Sequence, residues 1–160
     1  MQKEIRLEFS QSIDKMYAAY TDADFIKAKN EALGASEVQV DVVNEGKETR
    51  ITVKKEIPVD APKVLQRFAG ERTKVTQTEV WRANPDGSYF GILELNIHGA
   101  PVTVKSTMRL LPEGEGCAAE IVTSVKSNVP FLGKIMDNFM AETAEKEIEK
   151  EFWYMNEQVN

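Results

Sequence analysis

Apolar and polar residues along this chain switch between a period of two and a period near 3.6. Ile5, Leu7 and Phe9 alternate with Arg6 and Glu8, the pattern of a strand with one buried face. Ile13, Met16, Tyr17 and Tyr20 then recur at helical spacing, with Ser10 or Ser12 placed to cap the first turn. Thr21-Asp22-Ala23-Asp24 opens a second short helix, with a hydroxyl cap and acids in the first turn that suit the positive N-terminal end. Phe25, Ala28, Ala32 and Leu33 are its expected apolar face, and Gly34 its end.

From residue 37 the period returns to two. Val38, Val40 and Val42 predict a strand, Asn44-Glu45-Gly46-Lys47 a turn, and Ile51, Val53 and Ile57 the returning strand, stopped by Pro58. Asp60-Ala61-Pro62 leads into a short predicted helix with Val64, Leu65 and Phe68, closed by Gly70. Four more strands are predicted over 75–82, 90–97, 102–111 and 118–126. They are divided by Asn84-Pro85-Asp86-Gly87, Gly99-Ala100-Pro101 and Pro112-Glu113-Gly114-Glu115-Gly116, where Pro presets φ and Gly tolerates positive φ. Turns this short imply antiparallel pairing.

After Val129-Pro130-Phe131-Leu132-Gly133 neither Pro nor Gly occurs again. Leu132, Met136, Met140, Ala144, Ile148 and Phe152 form an apolar row at every fourth residue, flanked by Ile135, Phe139 and Thr143. At 1.5 Å per residue this helix is roughly 40 Å long. Its stripe drifts by about 40° per step, which suits a helix lying across a twisted sheet. The sheet needs a cover, and only this helix is large enough to provide one. The expected fold is therefore α+β: a curved antiparallel sheet of about seven strands wrapped around a long C-terminal helix, with two short helices after the first strand. No repeat, linker or low-complexity tract divides the chain, so residues 1–160 are expected to form one domain.

Composition narrows the function. Twenty basic against 26 acidic residues leave a net charge of −6, which argues against a nucleic-acid binder. The single Cys117 supports neither an intrachain disulfide nor a cysteine metal site. Met1-Gln2-Lys3-Glu4-Ile5-Arg6 lacks the apolar run of a signal peptide, and no stretch approaches the ~18 apolar residues of a membrane span. A cytoplasmic location without stable membrane insertion is expected.

The element order and the final Pro-Phe-Leu-Gly helix resemble the START-like helix-grip superfamily, which includes lipid-transfer domains, birch-pollen-allergen proteins and polyketide cyclases. Gly99-Ala100-Pro101-Val102, Arg109-Leu110-Leu111-Pro112, the Gly114/Gly116 turn, Val129 to Gly133 and Glu79-Val80-Trp81 resemble most a bacterial branch with no assigned function. Lys134 and Asp137 stand where that branch carries a second Gly and a Glu, so no role passes to that acid. The resemblance spans nearly the whole chain and implies a fold with a cavity.

On the dominant alternation, Val38, Val40, Ile51, Val53, Leu93, Leu95, Val102, Val104, Met108, Ile121 and Val125 face inward. The fourth strand differs, because Val75, Gln77, Glu79 and Trp81 face inward while Lys74, Thr76, Thr78 and Arg82 face solvent. An uncompensated buried charge costs several kcal/mol, so Glu79 should be hydrogen-bonded, protonated or close to an opening. Tyr89, Ser106 and Thr123 are further inward polar candidates, and Met108, Met136 and Met140 a soft apolar set. His98 points outward. No metal spacing motif, nucleophile elbow or phosphate loop is present, and no cofactor is implied. Glu145, Glu147, Glu149 and Glu151 with Lys146 and Lys150 read as a solvated face, with Glu142 and Lys146 as an i,i+4 pair.

The leading expectation is non-catalytic binding of an apolar or amphipathic small molecule, such as a lipid, isoprenoid or polyketide-like compound. The expected lining is Gln77, Glu79, Trp81, Tyr89, Leu93, Leu95, Val104, Ser106, Met108, Thr123, Met136, Phe139, Met140 and Thr143. Residues 60–70 are the candidate lid. The alternatives are a cyclase- or hydratase-type enzyme with Glu79 as acid or base, and a protein-interaction module without a functional cavity.

Overall fold

The computed structural model describes residues 2–68 and 71–160. In chain order these form β1 (Gln2–Phe9), α1 (Ile13–Tyr20), α2 (Ala23–Ala32), β2 (Ser36–Glu45), β3 (Glu48–Pro58) and a 3₁₀ segment (Lys63–Phe68). Then come β4 (Arg72–Ala83), β5 (Tyr89–Ile97), β6 (Val102–Glu113), β7 (Gly116–Ser127) and α3 (Gly133–Gln158). The Gly70 expected to close the short helix lies outside the described residues.

The strands make one curved antiparallel sheet in the order β1-β7-β6-β5-β4-β3-β2. The long β2-to-β7 meander is local, and β1 closes it by pairing with β7 from Gln2 opposite Ser124 to Phe9 opposite Cys117. Together with α3 this is the helix-grip architecture that the period switches predict.

Capping follows the sequence at α1 but not at α2, where the cap is Asp22 and not the Thr21 hydroxyl, which donates instead to the Tyr17 carbonyl at 2.8 Å at the end of α1. Ser12 Oγ accepts from Lys15 N at the start of α1, and Asp22 Oδ2 accepts from Phe25 N at 2.8 Å at the start of α2. At the end of α3 the Gln11 amide donates to the carbonyls of Asn156 and Val159, satisfying acceptors that the last turn leaves open.

Three further expectations need correction. The inner face of α2 is Ile26, Lys29 and Asn30 rather than Phe25, Ala28, Ala32 and Leu33: Ala28 and Ala32 are exposed, while Phe25 and Leu33 are half-buried. The helix is turned so that two polar side chains point inward, where other elements supply their partners. On α3 the fully buried residues are Met136, Ala141 and Met155, whereas Ile135 is 43% exposed because the stripe turns away from it. Finally, Glu151 leaves the solvated face of α3 to meet Lys29, while Glu145, Lys146, Glu147, Glu149 and Lys150 stay exposed as expected.

Two apolar clusters make the core. One gathers Phe9, Met16, Tyr20, Trp81, Leu110 and Met155. The other gathers Leu65, Val102, Val104, Val125, Val129 and Met136. Helix α3 packs chiefly on β7 and β1, and α2 on β2, which leaves a gap over the middle of the sheet.

Candidate functional site

That gap is not packed solid. A cavity of about 490 Å³ lies between the sheet and α3, with α2 along one side and residues 57–68 at one end. Residues of both core clusters border it, so it lies between them. Exposed Lys146, Glu147 and Lys150 on α3, and Pro58 at the end of β3 with Asp60 just after it, mark where it reaches solvent.

Of the side chains expected to line it, Gln77, Glu79, Trp81, Leu93, Leu95, Val104, Ser106, Met108, Thr123, Met136, Phe139, Met140 and Thr143 all border the cavity. Tyr89 does not. It is on the inward face of β5, but beyond Trp81, whose indole covers Gly91. There the Tyr89 ring stacks on Tyr17 at 3.7 Å and its hydroxyl donates to Asp14 at 2.9 Å. Burial, followed by the Asp14 hydrogen bond, pushes the Tyr89 hydroxyl up to about 12. Trp81 also stacks on Tyr20, so an aromatic wall separates Tyr89 from the cavity.

The polar side chains form a chain of contacts across one wall. Gln77 Nε2 donates to Glu79 Oε1 at 2.8 Å, and Trp81 Nε1 donates to Glu79 Oε2 at 3.3 Å. Lys55 Nζ donates to Asn30 Oδ1 at 2.6 Å and to Gln77 Oε1 at 3.4 Å, while Asn30 Nδ2 donates to the Ile26 carbonyl. Beside them Lys29 Nζ meets Glu151 Oε1 at 2.7 Å and stands over the Tyr20 ring. Glu79 thus satisfies the requirement for a hydrogen-bonded inward carboxylate. Burial raises its proton affinity, Lys29 lowers it, and Glu151 raises it further. Burial lowers that of Lys55, and burial raises that of Tyr20.

Lys29, Asn30, Lys55 and Glu151 escaped the sequence reading. Lys55 carried a signal, since it is in phase with Ile51, Val53 and Ile57 on β3. Ser106 and Thr123 face each other across β6 and β7 and share a hydrogen bond of 2.8 Å. Thr73 also borders the cavity, and its buried hydroxyl oxygen has no partner among the described residues. His98 is exposed beside Thr76, and Cys117 is buried.

Residues 4–158 match the sequence profile of DUF2505, a protein family of unknown function. The chain belongs to this family. No curated protein is significantly similar to this DUF2505 chain. Solved structures resemble it at low identity over nearly its full length. The protein TTHA0849 from Thermus thermophilus is 16% identical with a TM-score of 0.64, covering 99% of this chain and 97% of that one. A START superfamily protein from Mycobacterium smegmatis is 12% identical with a TM-score of 0.57, covering 99% and 96%. Norcoclaurine synthase from Thalictrum flavum, in complex with dopamine and hydroxybenzaldehyde, is 15% identical with a TM-score of 0.56, covering 100% and 88%. Likeness at this level is likeness of fold, and the fold of the DUF2505 chain is START-like helix-grip.

Proposed function

We propose that this DUF2505 protein binds an apolar or amphipathic small molecule, such as a lipid, isoprenoid or polyketide-like compound, between its sheet and α3. The observation that carries the reading is the cavity of about 490 Å³, within the range of small-molecule sites, with apolar walls and polar groups concentrated on one side. Burying about 200–300 Å² of apolar ligand surface yields roughly 5–7 kcal/mol before association costs, so polar contacts must fix the pose. Leu95, Val104, Met136, Phe139 and Met140 supply the apolar surface, and Gln77 and Glu79 the polar one. The 3₁₀ segment, held by buried Leu65 at one end of the cavity, is the element proposed to move on entry. A cytoplasmic setting suits a protein with one reduced thiol.

Titration with the neutral fluorophore Nile red tests the reading. Saturable, one-site enhancement that is lost in Leu95→Trp, a substitution that fills the cavity, is the expected result. Non-saturating fluorescence, or enhancement untouched by Leu95→Trp in a folded variant, counts against it.

One observation favours a second reading. Glu79 is a buried carboxyl of raised proton affinity at a cavity wall, a setting suited to acid–base chemistry of the cyclase or hydratase kind. Binding ranks first because both Glu79 oxygens are already occupied by Gln77 and Trp81.

A further inference from the structure

The Lys55 ammonium touches no carboxylate among the described residues. Its side chain occupies an inward position of β3, opposite Val75, where the neighbouring inward residues are Val53 and Ile57. Two of its three N–H bonds go to Asn30 and Gln77, both neutral amides. Among the described residues no carboxylate stands within 4.0 Å of it, whereas Lys29 nearby has Glu151 at 2.7 Å. Glu79 is kept apart from it by Gln77, which donates to Glu79 and accepts from Lys55. A partly desolvated cation with one donor free, at the wall of a cavity, is stabilised by an anion.

A second unsatisfied group stands beside it. Thr73 is the inward residue of β4 next to Val75, and so a diagonal neighbour of Lys55 across the strand pair. Thr73 lines the same cavity, and its buried hydroxyl oxygen has no partner among the described residues. An ammonium and a hydroxyl suit the two oxygens of one carboxylate. The surrounding charges limit the guest to a single negative charge. Lys29 is already neutralised, and Glu147 and Glu151 act on Lys55 through space, so they disfavour a dianion.

Resting on the cavity-binding reading above, we propose that Lys55 and Thr73 take the carboxylate of an amphiphile whose tail lies along Leu95, Val104, Phe139 and Met140. The ligand class is thus a monocarboxylate with one long apolar arm. The positive head site sits on β3 and β4, and the apolar walls run from there toward α3.

Calorimetric titration of the full chain with dodecanoate, dodecanol and dodecyl phosphate, each below its micellar concentration, tests the head site. Dodecanoate should bind at least tenfold tighter than dodecanol. That ratio should fall to near one in Lys55→Met and fall partially in Thr73→Val, with circular dichroism reporting that both variants fold. Equal affinity for dodecanoate and dodecanol, or a preference retained in Lys55→Met, overturns the head site while leaving cavity binding in place. Tighter binding of dodecyl phosphate than dodecanoate overturns the carboxylate assignment. Binding of none of the three overturns the cavity reading itself. If Lys55→Met does not fold, Thr73→Val and the wild-type ratio still decide.

Discussion

Trp81 and Gly91 face each other across β4 and β5, and a Cβ added at Gly91 would stand 2.7 Å from the indole ring. The glycine is there for space: it lets the indole lie flat on the sheet and hold its Nε1 toward Glu79. Gly91→Ala should therefore push the ring off its seat and weaken the bond to Glu79. Overpacking of this kind costs about 1–3 kcal/mol. Urea denaturation followed by tryptophan fluorescence checks both effects, and an unchanged midpoint would contradict the account.

Glu79 should make stability depend on pH in a particular direction. Burial holds its proton above the ordinary value near 4.5, against the pull of Lys29. The folded protein keeps this proton where the unfolded chain has released it. The resulting stabilisation is fully present below the ordinary value and is lost as pH rises through the folded-state value. The unfolding free energy of the wild type minus that of Glu79→Gln should therefore fall as pH rises above the ordinary value near 4.5. A flat or rising difference is the contrary result.

The ion pair between Lys29 and Glu151 joins α2 to α3 across the cavity. The lysine side chain is only 10% exposed and the glutamate 33%. Glu151→Gln should cost about 1–3 kcal/mol, because it leaves a largely buried ammonium without its charge partner. Adding Lys29→Met should recover part of that loss. A double-mutant cycle by thermal or chemical denaturation measures the coupling, and simple additivity would mean that the two helices are held by packing alone.

Asp22 sets the start of α2, and α2 presents Lys29 and Asn30 to the cavity. Asp22→Ala should lower stability by about 1 kcal/mol, the usual cost of a lost N-cap. It should also speed amide hydrogen exchange in the first turn of α2 more than elsewhere. Uniform exchange across the molecule would point to a different anchor for this helix.

Cys117 lies in β7 opposite Phe9, and burial, with a smaller contribution from Glu113, raises its thiol to about 11. Little thiolate exists at neutral pH, and the sulfur is covered. Reaction with a disulfide reagent should be slow in native buffer and accelerate greatly in urea. Fast stoichiometric labelling of the native protein would contradict the burial.

Much of this arrangement is legible in the sequence, and the parts that are not share a cause. The alternation Val75, Gln77, Glu79 and Trp81 placed an amide and a carboxylate on the inner face, because strand periodicity of two leaves little freedom once the apolar partners are known. Lys55 was legible by the same rule. Lys29, Asn30 and Glu151 were not, because a helix buries a polar side chain only when a distant element answers it, and 122 positions separate Lys29 from Glu151. Tyr89 misled for a different reason. Its face of β5 was right, but the bulk of Trp81 decides where the cavity stops, and shape of that kind leaves no periodicity.

The pairing of β1 with β7 also bears on how the chain reaches this state. The first strand has no sheet to join until residues 116–127 have been made, and the concave face stays bare until α3 follows. Contacts so distant in sequence slow folding and lengthen exposure of apolar surface. An emerging chain of this kind would carry an open, greasy trough for most of its synthesis. The last 26 helical residues, Gly133–Gln158, are what turn that trough from an aggregation hazard into a compartment.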